Sequence, residues 1–154
     1  MINRFEGKYD FLSNFHSSPI ELFMLTFPTV EHAYQASKCT DPLEILSVLK
    51  CPTPGKAKRM GQKVKIKCQW EHIKLDVMLD LLRRKFRDPD LKKKLIETGD
   101  EELVEGNNWN DTYWGVCDGV GQNHLGKLLM QVREEVKSGI DPFTNPDSKW
   151  HASC

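Results

Sequence analysis

No apolar run in this 154-residue chain approaches the roughly 20 residues that a membrane-spanning helix requires. A secretory signal is also missing from the N-terminus, which Asn3, Arg4, Glu6 and Lys8 interrupt. There is no excess of charge: 22 Lys and Arg balance 22 Asp and Glu, which argues against a protein that works by non-specific nucleic-acid binding. The five cysteines (Cys39, Cys51, Cys68, Cys117 and Cys154) show no short paired spacing, so reduced thiols in a cytoplasmic, reducing compartment are expected. The five histidines are scattered without matched Cys or His partners, and no metal site is predicted. Internal repeats and low-complexity tracts are absent.

What remains is the composition of one compact domain with a real core. Its charges are locally uneven. Lys56, Lys58, Arg59, Lys63, Lys65 and Lys67 crowd one segment, and Arg83, Arg84, Lys85 and Arg87 another; both read as solvated helix faces. Residues 9–27 read as a loop followed by a small hairpin over Ile20 to Phe27. Helices are predicted over residues 30–38, from Leu43 to Lys50 after Asp41-Pro42, and from Thr53-Pro54 to about Val64. The longest helical signal runs from Trp70 to Phe86, with Trp70, Ile73, Val77, Met78, Leu81, Leu82 and Phe86 inward and Glu71, Lys74, Asp80 and Arg84 outward. Asp88-Pro89 restarts a helix that Gly99 stops. Glu102 to Glu105 reads as a brief strand, residues 106–122 as loop, and Asn123 to Ser138 as the last helix. The fold class is α+β, mainly helical, with the domain at 1–139 and a loosely attached tail at 140–154.

Three segments carry candidate chemistry. In Pro28-Thr29-Val30-Glu31-His32-Ala33-Tyr34-Gln35-Ala36-Ser37-Lys38, Glu31, Gln35 and Lys38 are four and three residues apart and share one helix face. A capped, half-exposed helix with an ordinary Glu–Lys surface is the plainer alternative. The segment Asn110 to Gly126 holds Asp111, Trp114, Gly115, Asp118, Gly119, Gly121 and Asn123. Its glycines lead into a helix N-terminus, a pattern that suits a phosphate, and its indole can stack on a base. Trp114 as a core aromatic and Asp118 as a turn residue are the alternatives. Ser13-Asn14 between aromatics is a turn by default, or a place where Asn14 offers its amide to a ligand.

Taken in order, these elements resemble the NADAR family of YbiA-like N-glycosidases. The matching residues are Ser13-Asn14-Phe15, the Pro28 to Lys38 helix, Arg59-Met60-Gly61, Trp70, Lys85-Phe86, Leu103 with Glu105, Asp111-x-x-Trp114-Gly115, and the run from Asp118-Gly119-x-Gly121-x-Asn123 to Arg133. The resemblance spans roughly residues 9–137. It implies a single YbiA-like domain that hydrolyses an N-glycosidic bond between ribose and an amine, without a cofactor. The implied substrates are phosphorylated ribosylamino-pyrimidine intermediates of riboflavin synthesis or ADP-ribose on guanine, free or within ADP-ribosylated DNA. Two departures stand out: the hairpin tip is Phe23-Met24 rather than a polar turn with glycine, and Val116-Cys117 stands where a further glycine is expected.

Such a reaction passes through an oxocarbenium-like sugar and calls for proton delivery to the leaving nitrogen. Glu31, Lys38 and Asp111 are the catalytic candidates. Glu31 is read as general acid/base, and Lys38 as the amine of a Schiff-base route. Asn14, Gln35, Arg59, Trp70, Trp114, Gly115, Asp118, Gly119, Gly121 and Asn123 are the substrate-binding candidates. Two rival readings are a non-catalytic ADP-ribose or nucleotide-binding module and a nucleic-acid binder using the basic helices. The enzymatic reading places the acid and amine of the early helix in one pocket with the indole and glycine turn.

Overall fold

The computed structural model of the chain describes residues 1–140 and is mainly helical, with a small antiparallel hairpin, as the patterning predicts. Its packing divides the described residues into two units, one from Asn14 to Lys85 and one combining Met1–Ser13 with residues 86–140. Residues 141–154 of the expected tail lie outside the described residues. Among the described residues no helix is long and apolar enough to cross a membrane.

In the first unit, strands β1 (Ile20–Leu22) and β2 (Leu25–Phe27) pair antiparallel with Ile20 opposite Phe27. Ile20, Leu22 and Phe27 point into the core while Glu21 and Thr26 face out, the period-two alternation of a one-sided sheet. The two-residue turn is Phe23-Met24, both at positive φ (55° and 61°), a conformation usually given to Asn-Gly. Helix α1 (Val30–Ser37) follows, capped by Thr29, whose Oγ1 accepts the His32 N–H at 3.1 Å. Every residue of α1 is buried, because α2, α3, α4 and both strands pack around it. The half-exposed surface helix is therefore not what forms.

Helix α2 (Pro42–Leu49) begins at Asp41, which accepts the Leu43 N–H at 2.9 Å, and α3 (Pro54–Gly61) at Thr53, which accepts the Lys56 N–H at 3.1 Å. Each has proline in its first turn, where no N–H is needed. α3 ends at Gly61, short of the expected Val64. The Lys63 N–H closes a tight turn onto Met60 (2.9 Å), and the chain then pairs back with Lys67 N–H donating to the Lys38 carbonyl at 2.8 Å. Helix α4 (Trp70–Lys85) has the predicted apolar stripe, and Glu71 faces out as predicted, but Asp80 does not. Asp80 is buried and paired with Arg84 at 3.0 Å, and Arg84 also donates to the Glu21 carbonyl at 2.8 Å. Lys85 is 1% exposed and Lys67 is buried too, so the two basic runs are not simply solvated faces.

In the second unit, a 3-10 helix (Gly7–Leu12) overlaps the start of the loop expected from residue 9 and buries Phe11 and Leu12. Helix α5 (Pro89–Glu97) is capped by Asp88 and stops before Gly99, which takes φ +66°. The strand expected at Glu102 to Glu105 reduces to one parallel bridge between Leu103 and Ile2. Two short parallel strands, β3 (Gly106–Asn107) and β4 (Val116–Cys117), lie instead within the expected loop. Two-residue strands leave no alternation to read. Helix α6 (His124–Lys137) packs on α5, and Leu95, Leu103, Leu125, Leu129 and Val132 form the core with Phe86 and Phe11.

Candidate active site

The face of α1 that carries Glu31, Gln35 and Lys38 is held from several directions in the first unit. The Glu31 N–H donates to the Asn14 carbonyl at 3.1 Å, so the Ser13-Asn14 turn anchors the first turn of the helix. Gln35, four residues on, donates from Nε2 to Glu31 Oε1 at 2.7 Å. Both side chains are buried, at 7% and 4% exposure. Gln35 Oε1 has no donor. A Cβ built on Gly61 of α3 would lie 1.9 Å from that oxygen, so only glycine lets α3 close over Gln35. Gln35, expected to touch substrate, is thus turned inward onto the carboxylate.

Lys38 caps the C-terminus of α1, with its Nζ 5.5 Å from the centre of the Tyr34 ring. Burial lowers its pKa below the ordinary lysine value, while the nearby Glu31 carboxylate pulls the other way. Trp70, expected to contact substrate, is buried beneath Tyr34, with ring centres 5.3 Å apart. It backs the ring that faces the lysine. Asn14 places Nδ2 3.5 Å from Met78 sulfur and leaves Oδ1 buried without a partner. His32, on the same helix, is 2.9 Å through Nε2 from the Cys51 carbonyl and 2.8 Å through Nδ1 from Thr29 Oγ1. A carbonyl can only accept, so Nε2 carries a proton and donates it to Cys51. Arg59 does not join this face; it lines a groove between α2 and α3.

The second unit gathers the other candidates into one loop. Asp111 Oδ1 accepts the N–H groups of Tyr113 (3.2 Å) and Trp114 (2.9 Å), a turn built by its own side chain. Asn107, buried and unmarked by the sequence reading, accepts at Oδ1 from the Asp111 N–H (3.1 Å) and donates from Nδ2 to the Asp111 carbonyl (2.8 Å). Trp114 is half-buried, edge-on to Tyr113. Asp118 and Gly119 are the exposed centre of a tight turn, both at positive φ, closed by Cys117 and Val120 exchanging two backbone bonds.

Four backbone donors at the helix N-terminus beyond this turn are engaged within the loop. The N–H groups of Gln122, Asn123, His124 and Leu125 donate to the carbonyls of Thr112, Gly115, Tyr113 and Trp114 at 2.8–3.3 Å. Gly115 and Gly121 serve that close backbone approach, since a Cβ on either would lie 2.1 Å from a carbonyl oxygen. Asn123 is committed to the scaffold as well. It accepts from the Glu105 N–H at 3.0 Å and donates to the Leu103 carbonyl at 2.9 Å. Among the described residues no group of three or more His, Cys, Asp or Glu side chains could hold a metal ion.

Known proteins resemble this chain over most of its length. The family model of the NADAR domain matches residues 2–137. The N-glycosidase YbiA of Escherichia coli is 38% identical over 132 residues, 83% of this chain and 82% of that protein. An N-glycosidase of Nostoc punctiforme is 36% identical over 137 residues, 84% of this chain and 87% of the other. A riboflavin biosynthesis protein of Vibrio vulnificus is 35% identical over 136 residues, covering 86% of this chain and 37% of that protein. The NMR structure of E. coli YbiA matches with a TM-score of 0.77 at 34% identity, over 90% of this chain and 88% of that one. On the family model and on these relatives, the chain belongs to the NADAR domain family.

Proposed function

We propose that this protein is an N-glycosidase that hydrolyses the bond between the anomeric carbon of a ribose and an amine nitrogen of its base. The substrates that fit are a phosphorylated ribosylamino-pyrimidine of riboflavin synthesis and ADP-ribose on guanine. Relatives named as N-glycosidases and as a riboflavin biosynthesis protein support this class. The observation that carries the reading is the α1 face, where a buried carboxylate and a lysine of lowered pKa lie on one helix.

Two residues do the chemistry. Glu31 delivers a proton to the departing nitrogen and then accepts one from the attacking water, with Gln35 fixing its carboxylate from one side. Lys38 in its neutral form can instead attack the anomeric carbon of the ring-opened imine. The C–N bond to the base then breaks, the base leaves as a free amine, and water hydrolyses the lysine imine. A depressed lysine pKa favours that route, because more amine is neutral at a given pH. Asp111, the third carboxylate considered, is assigned to holding Trp114 through its own turn.

The test is to offer guanine-linked ADP-ribose and a ribosylaminopyrimidine phosphate side by side and measure free base. Release from one identifies the substrate, and release from neither overturns the reading. Borohydride added during turnover yields a covalent adduct on Lys38 if the imine forms; an unchanged mass assigns the reaction to direct water attack.

A further inference from the structure

The groove between α2 and α3, about 520 Å³ in volume, is lined by Lys50, Lys56, Arg59 and Lys63 together with Ser47 and Cys51. All four cations are exposed, and among the described residues none makes a side-chain ion pair or hydrogen bond. No carboxylate is among the residues lining the groove. α3 contains no acidic residue, and the one carboxylate within α2, on Glu44, is engaged by the Lys65 N–H at 3.3 Å. Like charges lining one groove repel, the more so the closer they stand. The chain as a whole carries equal numbers of both signs, so composition does not force this concentration. Lys56, Arg59 and Lys63 recur at spacings of three and four, which gathers them on one side of α3 and its exit.

We propose that this groove is an anion site that binds a ligand through two or more phosphate groups. A single carboxylate would neutralise one cation and leave the others repelling. A run of phosphates meets them together, with the forked Arg59 guanidinium gripping two oxygens and the lysines acting as point charges. The site is separate from the Glu31–Lys38 face, none of whose residues lines it. His32 of α1 reaches its edge, where Nε2–H donates to the Cys51 carbonyl at 2.9 Å. Phosphates on a free nucleotide and phosphates along a nucleic-acid strand present the same oxyanions, so the test separates them.

Wild type and the triple variant Lys50→Gln, Lys56→Gln, Lys63→Gln are titrated with inorganic pyrophosphate by calorimetry. Both are also titrated with a short labelled oligothymidylate by anisotropy at several salt concentrations. The three lysines are exposed, so the variant retains the wild-type circular dichroism and Tm. Expected is binding of at least one probe by wild type, weakened about 10-fold or more in the variant. For the strand, the slope of log K against log salt also falls by about 2, at roughly 0.7 per phosphate contact. Pyrophosphate binding alone marks a compact phosphate ligand, and oligonucleotide binding marks a strand. No binding of either probe, or equal affinity in both proteins, overturns the proposal. The readout is binding rather than turnover, so an inactive enzyme and an empty groove are told apart.

Discussion

Replacing Glu31 by Gln removes the charge from the α1 face but leaves an acceptor for Gln35 Nε2. The variant should fold with near wild-type Tm and lose roughly 10²- to 10⁴-fold in kcat, the range of a positioned acid/base. Unchanged turnover of the purified variant would refute the assignment. Lys38 sets a second expectation at this scale. Burial lowers its pKa, so a kcat limb rising with pH should fall below the ordinary lysine range and vanish in Lys38→Gln. Gly61 matters through Gln35. Gly61→Ala forces a Cβ against the amide, and it should cost about 1–3 kcal/mol of stability and lower kcat. In a Gln35→Ala background the added methyl has room, and its penalty should largely disappear, as a double-mutant cycle would measure. That Glu31, Gln35 and Lys38 share a helix face was legible from their spacing alone. Gly61 was not, because its significance lies in a side chain on another helix.

At the scale of elements, the ends and turns carry the clearest expectations. Thr29→Ala removes the α1 cap and the partner of His32 Nδ1 together, and should cost about 1–2 kcal/mol by denaturant unfolding. The Phe23-Met24 tip holds two side chains at positive φ, which costs about 1 kcal/mol or more per residue. Substituting Asn-Gly there should raise Tm by a few degrees. A fall in Tm would show that the apolar tip makes contacts worth more than its backbone strain. Caps, prolines and the apolar stripe of α4 were all readable, because they act within a few residues of themselves. The short parallel pair β3–β4 and the 3-10 helix were not, since each is held by partners elsewhere in its unit rather than by a pattern of its own. The α6 N-terminus shows the same limit. Its glycines announce a tight turn, but only the fold shows that Thr112 to Gly115 occupy the donors.

For the molecule as a whole, burial decides which charges matter. Desolvation pushes the Cys39 thiol up to about 11, with the Glu44 carboxylate adding to the shift. A thiol raised in the folded state favours folding below its unfolded pKa, and that contribution is lost as pH rises through the folded value. The stability difference between wild type and Cys39→Ala should therefore shrink between about pH 9 and 11; a constant difference would count against a buried neutral thiol. Lys38 and Lys67 act in the opposite sense. Burial lowers both, so the unfolded chain binds more protons above their folded values and stability from these groups rises with pH. Zero net charge concealed this distribution, as it concealed the cations gathered between α2 and α3.

What the linear chain determined was local: where helices start and stop, which stripe of α4 is apolar, and that an acid, an amide and an amine share one face of α1. Those follow from dihedral preferences and from a period of 3.6, which act over a turn or two. Tertiary packing decided the rest. It sank all of α1 into the core, set Gln35 against Glu31, and lowered the basicity of Lys38. The physical reason is that desolvation and close approach depend on which neighbours arrive, and those neighbours are distant in sequence.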